Sequence, residues 1–180
     1  MEKHFTVLET ERLLLREVNE ADFPDMLDYL SDEKVMRHMG IGVFKTVEDV
    51  MEEVSWYRSI FNDGTGIRWG ITLKDIGKVI GSCGFLNHVP KHHRADIGYE
   101  LHSSYWGMGI AAEAIQAILH HGFHHLQLER VQALIEPDNI SSINLIEKQR
   151  FVKEGLLRHY EYGAGKFDDL YMYSLLKEEL

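Results

Sequence analysis

The chain has 180 residues, 44% of them hydrophobic and 27% charged, the balance of a globular protein rather than of a disordered or fibrous one. A chain of this length buries roughly 70% of its unfolded surface and needs no cross-links, and its one cysteine, Cys83, excludes an internal disulfide and fits a reducing, cytoplasmic setting. A formal net charge of −10 without a basic block argues against nucleic-acid binding. The absence of a signal pattern or of a run of about 18 apolar residues argues against membrane insertion.

In chain order, residues 9–18 read as a first strand. Asn19 then caps a helix over about 20–30, with Asp22 at the third position and Pro24 close to its start, where a missing N–H matters little. Residues 31–39 read as a second short helix ended by Gly40. Thr46 and Asp49 resemble a capping box and open a helix to about Phe61, with Val50, Val54, Tyr57 and Phe61 on one face. Two strands, 67–74 and 79–87, follow the turn at 62–64 and are joined as a hairpin at 75–78. A polar loop leads to a strand over 95–101, in which Gly98 suggests a bulge. A helix over about 108–125, a strand over 131–136, and a helix from Asp138 or Asn139 to about Gln149 come next. The antiparallel strands 151–160 and 167–176 close the chain. The order βααβββαβαββ gives one α/β (α+β-like) domain over residues 1–180. Its sheet is mixed and mostly antiparallel, of six to seven strands, and the helix over 108–125 crosses over between two parallel ones.

The most informative stretch is Ser104-Tyr-Trp-Gly-Met-Gly-Ile-Ala-Ala-Glu-Ala114. Gly107, Gly109, Ala111 and Ala112 sit where a loop becomes a helix, and from Ile110 the apolar residues keep the period of one helical face. First-turn N–H groups lack partners within a helix and carry partial positive charge, so strand, glycine loop and helix N-terminus together suit a phosphate. Gly107-x-Gly109-x-x-Ala112 also fits the dinucleotide fingerprint. That fingerprint, however, normally opens a βαβ unit and has its acidic residue at the end of the second strand. Here the loop comes late, and Glu129 precedes the next strand. Close helix–strand packing is the third explanation of these glycines.

Two other features have plain explanations. Cys83, set among apolar residues, reads as a buried inert thiol. His120/His124 and His121/His125 have the i, i+4 spacing of paired metal ligands, but no Glu or Cys completes a set. A wet outer helix end accounts for them, and no metal is expected. Phe44, Trp56, Tyr57 and Trp69 read mainly as core.

The element order, the Tyr105–Ala114 stretch, Asn139-Ile-Ser-Ser-Ile-Asn-Leu-Ile-Glu-Lys-Gln-Arg-Phe-Val-Lys-Glu-Gly155, the opening Thr-Glu-Arg-Leu-Leu-Leu-Arg and the closing Asp169-Leu-Tyr-Met-Tyr together resemble the GNAT N-acetyltransferases. The resemblance is to the RimJ/RimL type, which acetylates α-amino groups of ribosomal proteins, and it spans nearly the whole chain. It implies a sheet splayed at its central strands and acetyl-CoA as cosubstrate. The pyrophosphate would take the amides of Trp106, Gly107, Met108, Gly109, Ile110 and Ala111. The pantetheine would pair with main chain around Tyr99 and Leu101 and touch Asn139, and the Ser142 hydroxyl would lie near the sulfur. The chain departs from the family pattern at Trp106, where Gln or Arg is usual, and at Arg150, where glycine is usual. It also has Ile146 where many relatives carry a tyrosine acid, so that chemistry is excluded and Ser142 becomes its substitute.

Acetyl transfer to an amine requires loss of an amine proton, stabilisation of the thioester oxygen, and departure of a thiolate. A backbone N–H near Tyr99–Leu101 could serve the oxygen. Glu100, on the strand that would present the acyl group, is the candidate base, directly or through water. The bland alternative is a glutamate on an exposed sheet face. Side-chain alternation turns Tyr99 the other way, into the core, and His159 and Glu161 are reserve candidates. The expected activity is acetyl-CoA-dependent transfer to a primary amine, either a small molecule or a peptide N-terminus. A CoA-binding module without catalysis is the alternative, and the dinucleotide oxidoreductase would instead be stabilised by NAD. A homodimer formed through sheet edges or C-terminal strands is compatible with the pattern.

Overall fold

The computed structural model describes residues 4–163 and 165–180. Strands β1 (Leu8–Glu9), β2 (Leu13–Arg16), β3 (Ile67–Leu73), β4 (Val79–Val89), β5 (Arg94–Leu101), β6 (Arg130–Ile135), β7 (Val152–Gly163) and β8 (Lys166–Leu176) form one sheet. Their spatial order is β1-β2-β3-β4-β5-β6-β8-β7. All pairs are antiparallel except β5–β6, which is parallel as expected. The helices are α1 (Phe23–Leu30), α2 (Glu33–Met36), α3 (Val47–Asn62), α4 (Ile110–His124) and α5 (Ile140–Lys148).

Local chemistry sets most boundaries. Asn19 and Asp22 form a reciprocal capping box ahead of α1, and Thr46 with Asp49 forms another at α3, each satisfying donors that the first turn leaves free. The expected first strand is broken in two: Thr10 N–H bonds the Leu13 carbonyl at 3.0 Å, a tight turn that makes β1 and β2 a hairpin. The second helical piece is a single turn ending at Met36, short of Gly40.

The two sheet faces bury separate cores. Alternating residues of β2, β3, β5 and β6, such as Leu15, Trp69, Ile97 and Val131, meet Ile115, Ile118 and Phe123 of α4 and Ile146 of α5. The other face carries α1, α2 and α3 through Met26, Tyr29, Met36, Val50, Val54 and Tyr57. In α4, burial of Ile110, Ile115, Ile118, Leu119 and Phe123, at roughly 1.5–3 kcal/mol each, outweighs the ~1 kcal/mol that an interior Gly122 costs a helix. Packing therefore fixes this helix. Trp69 is fully buried and Tyr57 nearly so, whereas Trp56 is exposed, a departure from its expected place in the core.

Gly98 marks no bulge: it pairs in register with Gly84, and the irregularity falls between Leu86 and Val89, where Asn87 takes φ +49°. Gly98 is needed for space instead, since a Cβ there would lie 2.8 Å from the Arg68 guanidinium.

Candidate active site

The sheet opens at its centre. β5 and β6 pair only at Arg94–Arg130, Ala95–Val131 and Asp96–Gln132. Beyond these, β5 follows β4 as far as Leu101, while β6 follows β8 as far as Ile135. The result is a V whose mouth lies at the C-terminal ends of both strands. Its apex is pinned by side chains: Asp96 accepts from Gln132 Nε2 at 2.6 Å and from Asn87 Nδ2 at 2.8 Å. Residues 97–101 of β5 thus present main-chain groups toward the gap.

The glycine loop lies beside this mouth. Gly107 and Gly109 both take φ +75°, a region open to glycine but costly to residues with a Cβ. Gly109 is the N-cap of α4 and supplies no side-chain cap, whereas α3 and α5 are capped by Thr46 and Asn139. The first-turn amides of α4 are therefore left for an external acceptor. Ile110 is buried and anchors the turn; Trp106 and Met108 are exposed. The Trp106 indole donates to the Leu101 carbonyl at 2.8 Å, so that one group at the end of β5 is already engaged.

From outside, the loop is braced by Arg12, which donates to the Met108 carbonyl at 2.9 Å and to Glu113 at 2.6 Å. Glu113 also accepts from Thr10 Oγ1 and the Arg12 amide, and although its partial burial works the other way, these donors hold its carboxyl below the ordinary range. The Thr-Glu-Arg opening and the glycine stretch, 101 residues apart, are thus one physical unit. Only their separate presence was legible in the sequence.

Glu100 is not on an exposed face. Its side chain is 3% exposed, with Arg68 Nη2 donating to Oε2 at 2.5 Å and Ser82 Oγ donating to Oε1. Tyr57 Oη lies 3.1 Å from Ser82 Oγ, and the Arg68 guanidinium lies over the Tyr57 ring. Burial works against the Arg68 charge, but Glu100 and Tyr57 offset this and hold the guanidinium above its ordinary value. The partners sit on neighbouring strands and a helix, so sequence reasoning could reach the carboxylate but not its cation.

Tyr99 does point to the opposite face, packed against the core as expected. Its hydroxyl meets Ser142 Oγ at 2.5 Å, a contact the sequence did not reveal. Burial pushes the Tyr99 phenol up to about 12. Asn139 caps α5 by accepting from the Ser142 amide at 3.1 Å. Ile146 is fully buried, and the Cys83 thiol, also buried, is pushed up to about 12.

A second cluster borders the mouth. His38 Nδ1 is 2.8 Å from Glu136 Oε2 and 3.7 Å from Asp138 Oδ1. Glu136 and Asn139 close a turn through a 3.0 Å backbone bond. Of the reserve candidates, Glu161 lies against the loop after α2 that carries His38, its carboxylate 3.8 Å from where a Cβ at Gly40 would be. His159 is instead stacked on Phe167. The α4 histidines pair as rings, His120 with His124 and His121 with His125. His121 is buried against Trp69 rather than at a wet helix end.

The open V beside an uncapped glycine turn offers main-chain donors to a phosphate-bearing ligand, and comparison with known proteins gives the family. The acetyltransferase (GNAT) domain pattern matches residues 12–152. The chain is 40% identical to the uncharacterized N-acetyltransferase p20 of Bacillus licheniformis, over 96% of this chain and 97% of that one. It is 32% identical to the ribosomal-protein-serine acetyltransferase of Escherichia coli over 54% of each chain. An acetyltransferase of the GNAT family from Bacillus anthracis superposes with a TM-score of 0.85 at 28% identity, covering 97% of this chain and 100% of that one. The chain belongs to the GNAT N-acetyltransferases and is an acetyl-CoA-dependent N-acetyltransferase. Among the described residues no helix is long and apolar enough to cross a membrane.

Proposed function

We propose that the protein moves the acetyl group of acetyl-CoA directly onto the α-amine of a protein or peptide N-terminus. The observation that carries this is the uncapped N-terminus of α4 at Gly109 beside the gap between β5 and β6. There, amides of residues 106–111 would hold the diphosphate and main-chain groups of residues 97–101 the pantetheine arm. An N–H near Tyr99–Leu101 would take the developing oxyanion, a contact worth ~3–4 kcal/mol in comparable sites. Asn139 would touch the arm and Ser142 would donate toward the sulfur.

Glu100 is proposed as a fixed negative charge on the presenting strand. With its side chain 3% exposed and its oxygens engaged by Arg68 and Ser82, it is closed to an incoming amine. The acceptor class is supported by the name of the Escherichia coli relative and by the carboxylates Glu136 and Asp138 at the mouth. It is also supported by amine chemistry: an α-amino group titrates near 7.7–8.0 and a lysine near 10.4, so deprotonating the lysine costs roughly 3 kcal/mol more. The test is an acetylation screen across peptide N-termini, polyamines, aminoglycosides and free amino acids, following free thiol. Turnover is expected on peptide α-amines; turnover on polyamines or amino sugars alone would overturn the assignment.

A further inference from the structure

The chain segment from α1 to the loop after α2 spans the mouth of the V. At one end, Asp28 pairs with His102 Nε2 at 3.2 Å and Asp32 accepts from Ser103 Oγ at 2.6 Å; both partners lie just past the end of β5. At the other, His38 bonds Glu136, just past the end of β6. The segment Asp28–His38 therefore bridges the two strand ends, and His38 sits at the β6 end of the gap. The turn it binds, 136–139, leads through Asn139 to Ser142, which meets Tyr99 on β5.

Resting on the proposed transfer to an amine, we infer that His38, oriented by Glu136, is the catalytic residue that takes the proton from the acceptor nitrogen. A base must have a free lone pair and a fixed direction. Glu100 has the second but is closed to an incoming amine: its side chain is 3% exposed, and its two oxygens already accept from Arg68 and Ser82. In His38, the bond from Nδ1 to the Glu136 carboxylate fixes ring and tautomer and leaves Nε2 as the acceptor, the arrangement of a base held by an orienting carboxylate. No described residue bonds that nitrogen. His38 and Glu136 side chains are each 19% exposed, accessible yet held. The charged groups around the ring are Glu136 and Asp138 from the turn, Glu161 from β7 against the adjacent loop, Lys166 within electrostatic reach of both turn carboxylates, and Arg37 on its own segment.

In the step, the amine nitrogen bonds to the thioester carbonyl carbon. The nitrogen's proton passes to His38 Nε2, the carbon–sulfur bond breaks with its electron pair leaving on sulfur, and His38 later returns the proton to solvent.

The test uses the full chain, acetyl-CoA and a peptide accepted in the screen. His38→Ala is expected to lower kcat by about 10²–10⁴-fold, with CoA affinity and melting temperature retained. Added imidazole should restore at least tenfold of the lost rate while leaving the wild type unchanged. His38→Gln, which keeps a hydrogen bond to Glu136 but takes no proton, should fold normally and be as slow. Glu136→Gln should lower kcat alone but add little to His38→Ala. A His38→Ala protein that keeps its rate, a loss that imidazole does not relieve, or full activity in His38→Gln overturns the assignment. A wild-type protein that binds CoA and releases no thiol with any amine overturns the proposed function itself, and the role of His38 with it.

Discussion

Arg150 adopts φ +67°, where its relatives' pattern has glycine. A side chain in that region costs about 1–2 kcal/mol, against the roughly 0.5–1 kcal/mol of extra chain entropy that glycine loses on folding. Its long bond to the Glu179 carbonyl, 3.4 Å and exposed, adds little. Arg150→Gly is therefore expected to raise stability by about 0.5–1 kcal/mol, read as a small rise in melting temperature. Tyr99 illustrates how a magnitude separates two roles. A coenzyme thiolate has a proton affinity near that of cysteine, ~8.5, while burial holds the Tyr99 phenol at about 12. Proton transfer from phenol to thiolate would be uphill by about 5 kcal/mol, so in the proposed transfer Tyr99 would orient Ser142 rather than give up its proton. On the proposed role of Ser142, Tyr99→Phe and Ser142→Ala should each lower kcat by about tenfold, and the double variant should be no slower than Ser142→Ala.

At the level of elements, what the sequence disclosed were features whose partners lie within one turn. The boxes at Asn19/Asp22 and Thr46/Asp49, the Asn139 cap and the apolar stripe of α4 are all set by neighbours three or four residues away. Features that depend on strand register were not disclosed: the Arg68–Ser82–Glu100 ion pair, the Arg12–Glu113 brace and the His38–Glu136 contact each need three-dimensional neighbours. Gly98 was expected to mark a bulge and does not; what it supplies is space for Arg68 of another strand. A fourth such pairing ties β6 to β7 across β8. Arg130 and Ser174 donate to Glu154, and these donors lower the Glu154 carboxyl to about 2. A carboxyl depressed by folding contributes stability above its unfolded value, 4.5, and loses it as pH falls toward 2. Because the side chain is 43% exposed, screening keeps the effect below about 1 kcal/mol. Melting curves at pH 7, 4 and 3 should show Glu154→Gln losing less of its stability on acidification than the wild type.

For the whole molecule, a ligand that binds only the folded state stabilises it by about 2.7 kcal/mol at a hundredfold excess over its dissociation constant. In a chain of this size that corresponds to a rise in melting temperature of about 5–10 °C. Coenzyme A is expected to produce this shift and NAD none, measured by thermal denaturation. The mixed sheet with helices on both faces was readable from the alternation of strands and helices. The depth of the opening was not, because it depends on where two parallel strands stop pairing. The ladder between β5 and β6 has three residue pairs, with the Asp96–Gln132 bond beside them. Mechanically, the protein is two leaves on a short spine, β1–β5 with their helices on one side and β6–β8 with α5 on the other. The angle between them is set near Asp96, at the closed end of the gap. Changes at the spine should therefore alter how wide the leaves stand apart, and with it which acceptors fit, while leaving every contacting side chain in place.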